Sequence, residues 1–344
     1  MIIRENILLS ELTTMRLGGP ARFVVDIDDP ADIPAAFDFA ASRKLPFFIL
    51  GGGANTIAHD EGFPGVIIRF LKSDIKLVQA DDDYLITASA GTPWDDVVAF
   101  VTARNLTGIE ALSKIPGLTG AAPVQNIGAY GQDVAAVFVS AEAYDIAERH
   151  FVTLYHSDFS FSYRRSILNT TKKNQFLITS ITLRLSQGQM SRPFYNSIER
   201  YISEHHITDF SPAQIRQIVS TIRADKLPDP AIKPSSGSFF KNIYLTKEEA
   251  SLADSQGYPI YHGRDGYKIN SGWLIEQTGF KGRLLHGIRV NEKAALVLIN
   301  ESASSYQDLA NARAEIVKAV QQKFGFNLEQ EPVEILPTIE RPKI

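Results

Sequence analysis

The chain of 344 residues contains no cysteine, which excludes disulfides, thiolate metal sites and cysteine nucleophiles together. Long apolar runs are missing too, none approaching the roughly 18 residues that a membrane helix needs. The opening MIIRENILLSEL sets Arg4, Glu5 and Glu11 around a short apolar patch, so it lacks the hydrophobic region of a secretion signal. Neither sign of charge is in excess. A formal net charge of -4 and a pI near 6.0 leave no electrostatic footprint for duplex nucleic acid or an anionic membrane, although a local basic pocket for a small anion is allowed. Internal repeats, low-complexity tracts and long linkers are also absent. What is there is an ordinary globular composition, 44% hydrophobic and 22% charged, long enough for two or three domains. The expectation is a soluble cytoplasmic protein.

Along the chain, RFVVDID alternates like a strand, and Asp29-Pro30 offers an N-cap and first-turn proline for an amphipathic helix to about Lys44. LPFFILGGGANT follows as an apolar strand emptying into glycines, completing an α/β opening unit. From GVIIRF to LITSITLRL short strands dominate, interrupted by a helix that Thr92-Pro93-Trp94-Asp95-Asp96 is expected to cap and by a glycine-rich stretch at 115–131. After Gln187-Gly188-Gln189 the pattern turns helical: Ser211-Pro212 caps AQIRQIVSTIRADK, and Thr246 with Glu249 reads as a capping box. SGWLIEQTG is a short helix stopped by Gly279, ALVLIN a buried strand, and 304–324 a long amphipathic helix.

Several stretches carry chemistry. Gly51-Gly52-Gly53-Ala54-Asn55-Thr56 follows a strand, where bare backbone lets amide N–H groups converge on a phosphate. It is not a dinucleotide fingerprint, since Thr56 stands where a third glycine belongs, nor a P-loop, since no Gly-Lys-Ser/Thr follows; alone it reads equally as a tight turn. IPGLTGAAPVQNIGAYG, from Ile115 to Gly131, is longer than any turn needs and free of charge. Gly120, Ala121 and Ala122 permit close approach of a large flat ligand, and Gln125 and Asn126 can serve its polar edge; the alternative is a buried packing loop. Two such loops make a dinucleotide the economical ligand. In FSYRRSIL, a guanidinium at Arg164 or Arg165 either finds a partner or snorkels to the surface. SSGSFFKN crowds Ser238, Phe239, Phe240, Lys241 and Asn242 behind one glycine, after Lys226 and the stiff LPDP. Ser238 is outside any G-x-S-x-G elbow, so its hydroxyl suits proton donation or hydrogen bonding better than hydrolase chemistry. His59-Asp60-Glu61 reads as a solvated loop, because consecutive residues cannot share one face of a metal site. The carboxylates of LEQEPVEIL, Glu329, Glu331 and Glu334, read as solvent-facing on their position alone.

Taken in order, TTMRLGGPA, ILGGGANT, IPGLTGAAPVQNIGAYG, YRRSIL, KLPDP, GSFFKN, GWLIEQTGFKG and LEQE resemble the UDP-N-acetylenolpyruvoylglucosamine reductase family, from about Thr13 to Leu336. The form with a tyrosine-bearing insertion is the nearer match, through Tyr195. The fold that the resemblance implies is α+β: an FAD-binding domain of the vanillyl-alcohol-oxidase type in two lobes (1–68 and 69–190), an α/β substrate-binding domain (205–325), and a C-terminal segment (326–344) returning to the active site. The resemblance implies non-covalent FAD, NADPH as co-substrate, and a UDP-sugar enolpyruvyl ether as the small-molecule substrate. It also implies a monomer with no nucleic acid or membrane partner and no metal.

By the same resemblance, the catalytic residues are Arg164, Ser238 and Glu331, with Glu334 the fallback for the carboxylate. Tyr163, Tyr195, Lys226 and Asn242 fall at substrate positions. The FAD loops map to Gly51, Gly52, Gly53, Ala54, Asn55 and Thr56, and to Pro116, Gly117, Gly120, Ala121, Gln125, Asn126, Gly128, Ala129 and Tyr130. In the implied reaction NADPH reduces the flavin, which passes hydride to C3 of the enolpyruvyl ether. Arg164 and Glu331 stabilise the enol-like species, Ser238 protonates C2, Phe239-Phe240 lock the serine's backbone and Lys241-Asn242 face the ligands. The chain departs from the family pattern at Arg165, Leu118-Thr119 and Ala294, and in the EPVEIL that replaces a glutamate-valine-arginine continuation. Two other readings stay open: an oxygen-using oxidase of the same fold, and a flavin- or sugar-nucleotide-binding protein without turnover.

Overall fold

The structure is a computed structural model that describes residues 1–263 and 266–337. Residues 338–344 of the expected C-terminal segment, and 264 and 265 of the expected substrate unit, lie outside the described residues. Asp29 caps as its chemistry predicts: its carboxylate accepts from Ala31 N at 3.0 Å, and a 3-10 turn Pro30–Asp32 leads into the helix Ile33–Ser42. That helix buries Ile33, Ala36, Phe37 and Ala40, one stripe at helical spacing. It packs on a sheet ordered Ile2–Leu8, Pro20–Ile27, Phe63–Phe70, Phe47–Ile49, in which the last three strands run parallel.

Strand alternation sorts this sheet's side chains into two cores. Phe23, Val25, Ile27, Val66, Ile68 and Phe70 join a large core shared with the second sheet. Val24 and Ile67 point the other way, to a small core with Leu9, Ala58 and Ile335. Both faces are covered, which is why the central strand reads as an almost continuous apolar run. The second sheet is antiparallel, ordered His150–Tyr155, Phe138–Asp145, Phe176–Gln187, Asp83–Ser89, Ile75–Ala80. The helix Trp94–Thr102 packs in its core, Trp94 Nε1 donating to Leu112 O at 3.0 Å. Its cap differs from the expectation: Pro93 is the N-cap residue and makes no side-chain cap bond. Thr92 Oγ1 is held by Asp74 N and O at 3.1 and 3.2 Å, which turns it away from the helix end.

The helices Asn196–Glu204 and Pro212–Lys226 pack on one another through Ile198, Ile202, Ile215, Ile218, Val219 and Ile222. Ser211 accepts from Gln214 N, and Thr246 with Glu249 forms a reciprocal capping box. Beyond them lie a four-stranded sheet ordered Ser235–Ser238, Val297–Asn300, Ile288–Val290, Leu284–Leu285 and a three-stranded one around Gly266–Ile269. The long helix Tyr306–Phe324 buries Leu309, Ala312, Ile316 and Val320 and ends at Gly325, whose φ of +75° suits glycine. The cores do not follow chain order: Met15, Leu17 and Ile57 pack into the C-terminal core, while Ile335 packs into an N-terminal one. No helix among the described residues is long and apolar enough to cross a membrane.

Candidate active site

The turn SSGSFFKN is explained by what it carries on each side. Phe239 and Phe240 are 0% and 1% exposed and anchor the segment in the C-terminal core. Their backbone receives the C-terminal strap: Lys241 N donates to Glu329 O, Phe240 bridges to Gln330, and Glu331 N donates to Phe239 O, the last at 2.9 Å. The strap then crosses to the first glycine loop. Val333 N donates to Asn55 O at 3.0 Å, and Val333–Ile335 runs parallel to Thr56–Ala58. Glu331 therefore lies between that loop and the residue after Ser238. Ser238 sits at the end of the strand Ser235–Ser238, half-buried, behind Gly237 at a φ of +70°. Its hydroxyl makes no hydrogen bond among the described residues.

Arg164 meets Glu331 there. Its Nε lies 2.9 Å from Glu331 Oε1, with the side chains 19% and 9% exposed. The contact is off the N–H axis, so it is an ion pair and not an aligned hydrogen bond. Nη2 donates to Gly128 O at 3.0 Å. Arg164 adopts a φ of +55°, a left-handed conformation held by the Ser162–Arg165 bridge and by Asn169 Nδ2 donating to its carbonyl. Burial pushes the Glu331 carboxyl up, with Arg164 and Lys241 pulling the other way. Asn55 Nδ2 donates to Gln125 Oε1 at 2.7 Å, which turns the Gln125 amide N–H toward Glu331 Oε1 at 3.4 Å.

Of the residues singled out in the sequence, Tyr163 and Asn242 also come together here. The Tyr163 hydroxyl accepts from Asn242 N at 3.3 Å, and Asn242 Oδ1 accepts from Ser271 N at 3.2 Å, which ties Tyr163, Asn242 and the helix Ser271–Gln277 together. Tyr195 packs edge-on against Tyr130 with ring centroids 5.7 Å apart. Arg223, a residue the sequence reading passes over, lies beside Tyr130, its positive charge opposing the rise that burial imposes on the phenol. Its signal was the Arg-x-x-Lys spacing that puts Arg223 and Lys226 on one face of the helix Pro212–Lys226. Lys226 is tied by its carbonyl to Asn291 Nδ2 at 2.9 Å.

Two expectations change, and Lys241 takes a partner the sequence did not offer. Asn126 points inward: Oδ1 accepts from Ala135 N at 3.0 Å and Nδ2 donates to Ser162 O at 3.4 Å, so its amide is committed to backbone. Lys241 is paired with Glu329, and it also lies near enough to Glu331 to pull that carboxyl down. His59 is not in a solvated loop; it stacks on Tyr306 and meets Glu334, because the strap and the long helix cover it.

The two glycine-rich stretches face each other. A Cβ on Gly51 would sit 3.3 Å from Ala121 Cβ, one on Gly52 3.1 Å from Gly117 Cα, and one on Gly53 1.9 Å from Leu12 O. Gly120 is pressed on Ala90, where a Cβ would stand at 2.5 Å. This close pairing of uncharged, side-chain-free backbone fits a phosphate-bearing flat cofactor, with Gly128 and Tyr130 at the far end of the second stretch and Arg164 bonded to Gly128 O. Residues 21–153 match the family model described as "FAD binding domain".

Loops of this kind, with an ion pair and a hydroxyl at their edge, define an FAD-binding oxidoreductase of α+β fold. Residues 229–335 match the C-terminal domain of UDP-N-acetylenolpyruvoylglucosamine reductase. The reductase of that name from Ralstonia nicotianae is 35% identical over 334 residues, covering 95% of this chain and 97% of that one. The one from Cupriavidus pinatubonensis is 36% identical over 316 residues, 91% and 93% of the two chains. The crystal structure of UDP-N-acetylenolpyruvylglucosamine reductase from Thermus caldophilus superposes with a TM-score of 0.68 at 22% identity, over 97% of this chain and 99% of that one, and shows the same fold. The chain belongs to the UDP-N-acetylenolpyruvoylglucosamine reductase family.

Proposed function

We propose that the protein reduces UDP-N-acetylglucosamine enolpyruvate to UDP-N-acetylmuramate, with NADPH as electron donor and FAD bound without a covalent link, in peptidoglycan precursor synthesis. The observation that carries this reading is the Arg164–Glu331 pair, brought by the strap to the residue after Ser238. Bound FAD, held by the loops 51–56 and 116–130, supplies the two-electron chemistry. The protein's own groups do the rest. Reduction of the enolpyruvyl double bond places a hydrogen with its electron pair on C3 and a proton on C2. Charge builds meanwhile on the carboxylate side of C2. Arg164, aimed by Gly128 and Glu331, offers its guanidinium to that charge, and preorganised donors of this kind are typically worth several kcal/mol. Ser238 holds the proton that C2 receives. Tyr163, Tyr195, Lys226 and Asn242 hold the nucleotide, the Tyr163 hydroxyl keeping its proton to donate because it accepts from Asn242 N. The division of the chain at 1–68, 69–190, 205–325 and 326–344 belongs to the same reading; the first sheet ends at Phe70, two residues past the first limit, and the second spans Ile75 to Gln187. A monomer in the cytoplasm, acting on nucleotide substrates, belongs to the same reading.

Ser238→Ala tests the mechanism. FAD binding and flavin reduction by NADPH should be nearly intact, while reoxidation by the enolpyruvyl nucleotide slows by about 10² to 10⁴, the usual range for general acid catalysis. Ser238→Cys should recover part of the loss. Stopped-flow traces of the two halves decide: equal slowing of both, or unimpaired reoxidation, removes Ser238 as proton donor.

A further inference from the structure

Three residues beyond Glu331, the strap carries a second carboxylate with four side-chain donors. Glu334 Oε2 accepts from His59 Nε2 at 3.1 Å and from the Tyr306 hydroxyl at 3.0 Å, while Oε1 accepts from Arg313 Nη1 at 2.6 Å and Gln330 Nε2 at 3.1 Å. Arg313 also donates to Gln330 Oε1 at 2.5 Å and to the Tyr306 hydroxyl at 3.3 Å, and the His59 ring stacks on Tyr306 at 3.6 Å. These donors come from three places: the segment after the first glycine loop, the long helix Tyr306–Phe324, and the strap itself. Burial raises the Glu334 carboxyl, but the hydrogen bonds from His59, Arg313 and Gln330 outweigh it and hold the group ionised, down to about 2.

The backbone between the two carboxylates has little slack. Glu331 N is bonded to Phe239 O, Pro332 restricts the residue before it, and Val333 N is bonded to Asn55 O. Asn55 Nδ2 also reaches Glu331 O at 3.4 Å. A shift of the strap along Thr56–Ala58 therefore carries the Glu331 carboxylate with it, relative to an Arg164 that is held independently by Gly128.

We propose that Glu334, clamped by Arg313, His59 and Tyr306, is a positioning residue that fixes the Glu331 carboxylate against Arg164 for reduction of the substrate double bond. This rests on the role assigned to Glu331 above; Glu334 itself contacts no substrate and acts through the strap. An ångström of misplacement at a reacting centre is enough for about 10²-fold in rate.

The test is a double-mutant cycle with Glu334→Gln, Glu331→Gln and both together, reading the two flavin half-reactions separately. Glu334→Gln should retain FAD and be reduced by NADPH at close to the normal rate, while reoxidation by the enolpyruvyl nucleotide slows about 10- to 100-fold. In the Glu331→Gln background the same change should add less than about twofold, because the group it positions is gone. Amide exchange at Glu331 and Val333 should quicken in Glu334→Gln, while that of the Phe138–Asp145 strand is unchanged. If Glu334→Gln does not fold, Glu334→Asp, which keeps the charge but shortens its reach, should show the same selective slowing. Equal slowing of both half-reactions, additive effects in the double variant, or normal reoxidation with loosened amides overturns the proposal. Normal reoxidation in Glu331→Gln alone would instead sink the assignment of Glu331, a result separable from failure of the positioning role.

Discussion

At the scale of single residues, the site is built on one guanidinium with two duties. Arg164 holds Gly128 O through Nη2 and faces Glu331 through Nε, and only a planar fork can present both edges at once. A lysine ammonium is a point charge; it can satisfy the carbonyl or the carboxylate, not both. Arg164→Lys should therefore fold and bind FAD, since its left-handed backbone is no worse for lysine than for arginine, but its reoxidation by substrate should fall by about 10² or more, the usual loss when one preorganised donor goes. Rapid-mixing kinetics and a flavin absorbance spectrum check both parts, and near-normal turnover would take Arg164 out of the site.

At the scale of elements, the first glycine loop is decided by backbone geometry. Gly53 has a φ of +65°, and a Cβ there would stand 1.9 Å from Leu12 O, a backbone atom that cannot move aside cheaply. Gly131, in the second stretch, has a φ of +87° but nothing within 4 Å. The two positions separate strain from collision. Gly131→Ala should cost about 1 kcal/mol, the conformational penalty alone, whereas Gly53→Ala should lose several times that and release FAD. Thermal unfolding and flavin retention after gel filtration measure both; equal effects of the two substitutions would show that the loop yields more readily than its contacts imply.

At the scale of the whole molecule, one ion pair ties the helices Asn196–Glu204 and Pro212–Lys226 to the second sheet's core. Asp95, in the first turn of the helix Trp94–Thr102, takes both Nη atoms of Arg216 at 2.6 and 2.9 Å, and also pairs with Lys114 at 3.0 Å. Burial raises its carboxyl, but Arg216 and Lys114 outweigh that and hold it far below the usual carboxylate range. Tyr195 and Lys226 lie at the ends of these helices, so the pair sets where they stand relative to Tyr130. Arg216→Ala should cost about 1–3 kcal/mol of stability, since it strips a partly buried carboxylate of its bidentate partner. It should also raise KM for the nucleotide more than it lowers kcat. Urea unfolding and steady-state kinetics check it, and an unchanged KM would place the pair outside substrate binding.

What the sequence by itself determined is whatever depends on near neighbours: Asp29 and Ser211 as caps, the Thr246–Glu249 box, the glycine loop after an apolar strand, and the motif order that names the family. Those signals are local because a cap or a turn is closed by atoms a few residues away. Ser238 was legible too, since buried Phe239 and Phe240 beside a polar pair mark a strand edge that must present something. The resemblance favours Glu331 over Glu334 by its place after Leu328-Glu329, but where each carboxylate goes was decided by tertiary structure. Both are glutamates on one short segment, and the residues alone do not say what either meets. Pairing of 329–331 with 239–241, and of 333–335 with 56–58, sends the first carboxylate to Arg164 and the second to His59, Tyr306 and Arg313. The first of these pairings also gave Lys241 to Glu329, while Asn126 was turned inward by nearer partners, Ala135 N and Ser162 O. The contacts of the strap's two glutamates with the rest of the fold join residues from 21 positions apart, Arg313 with Glu334, to 276, Asn55 with Glu331, and only the folded chain brings them within hydrogen-bond distance.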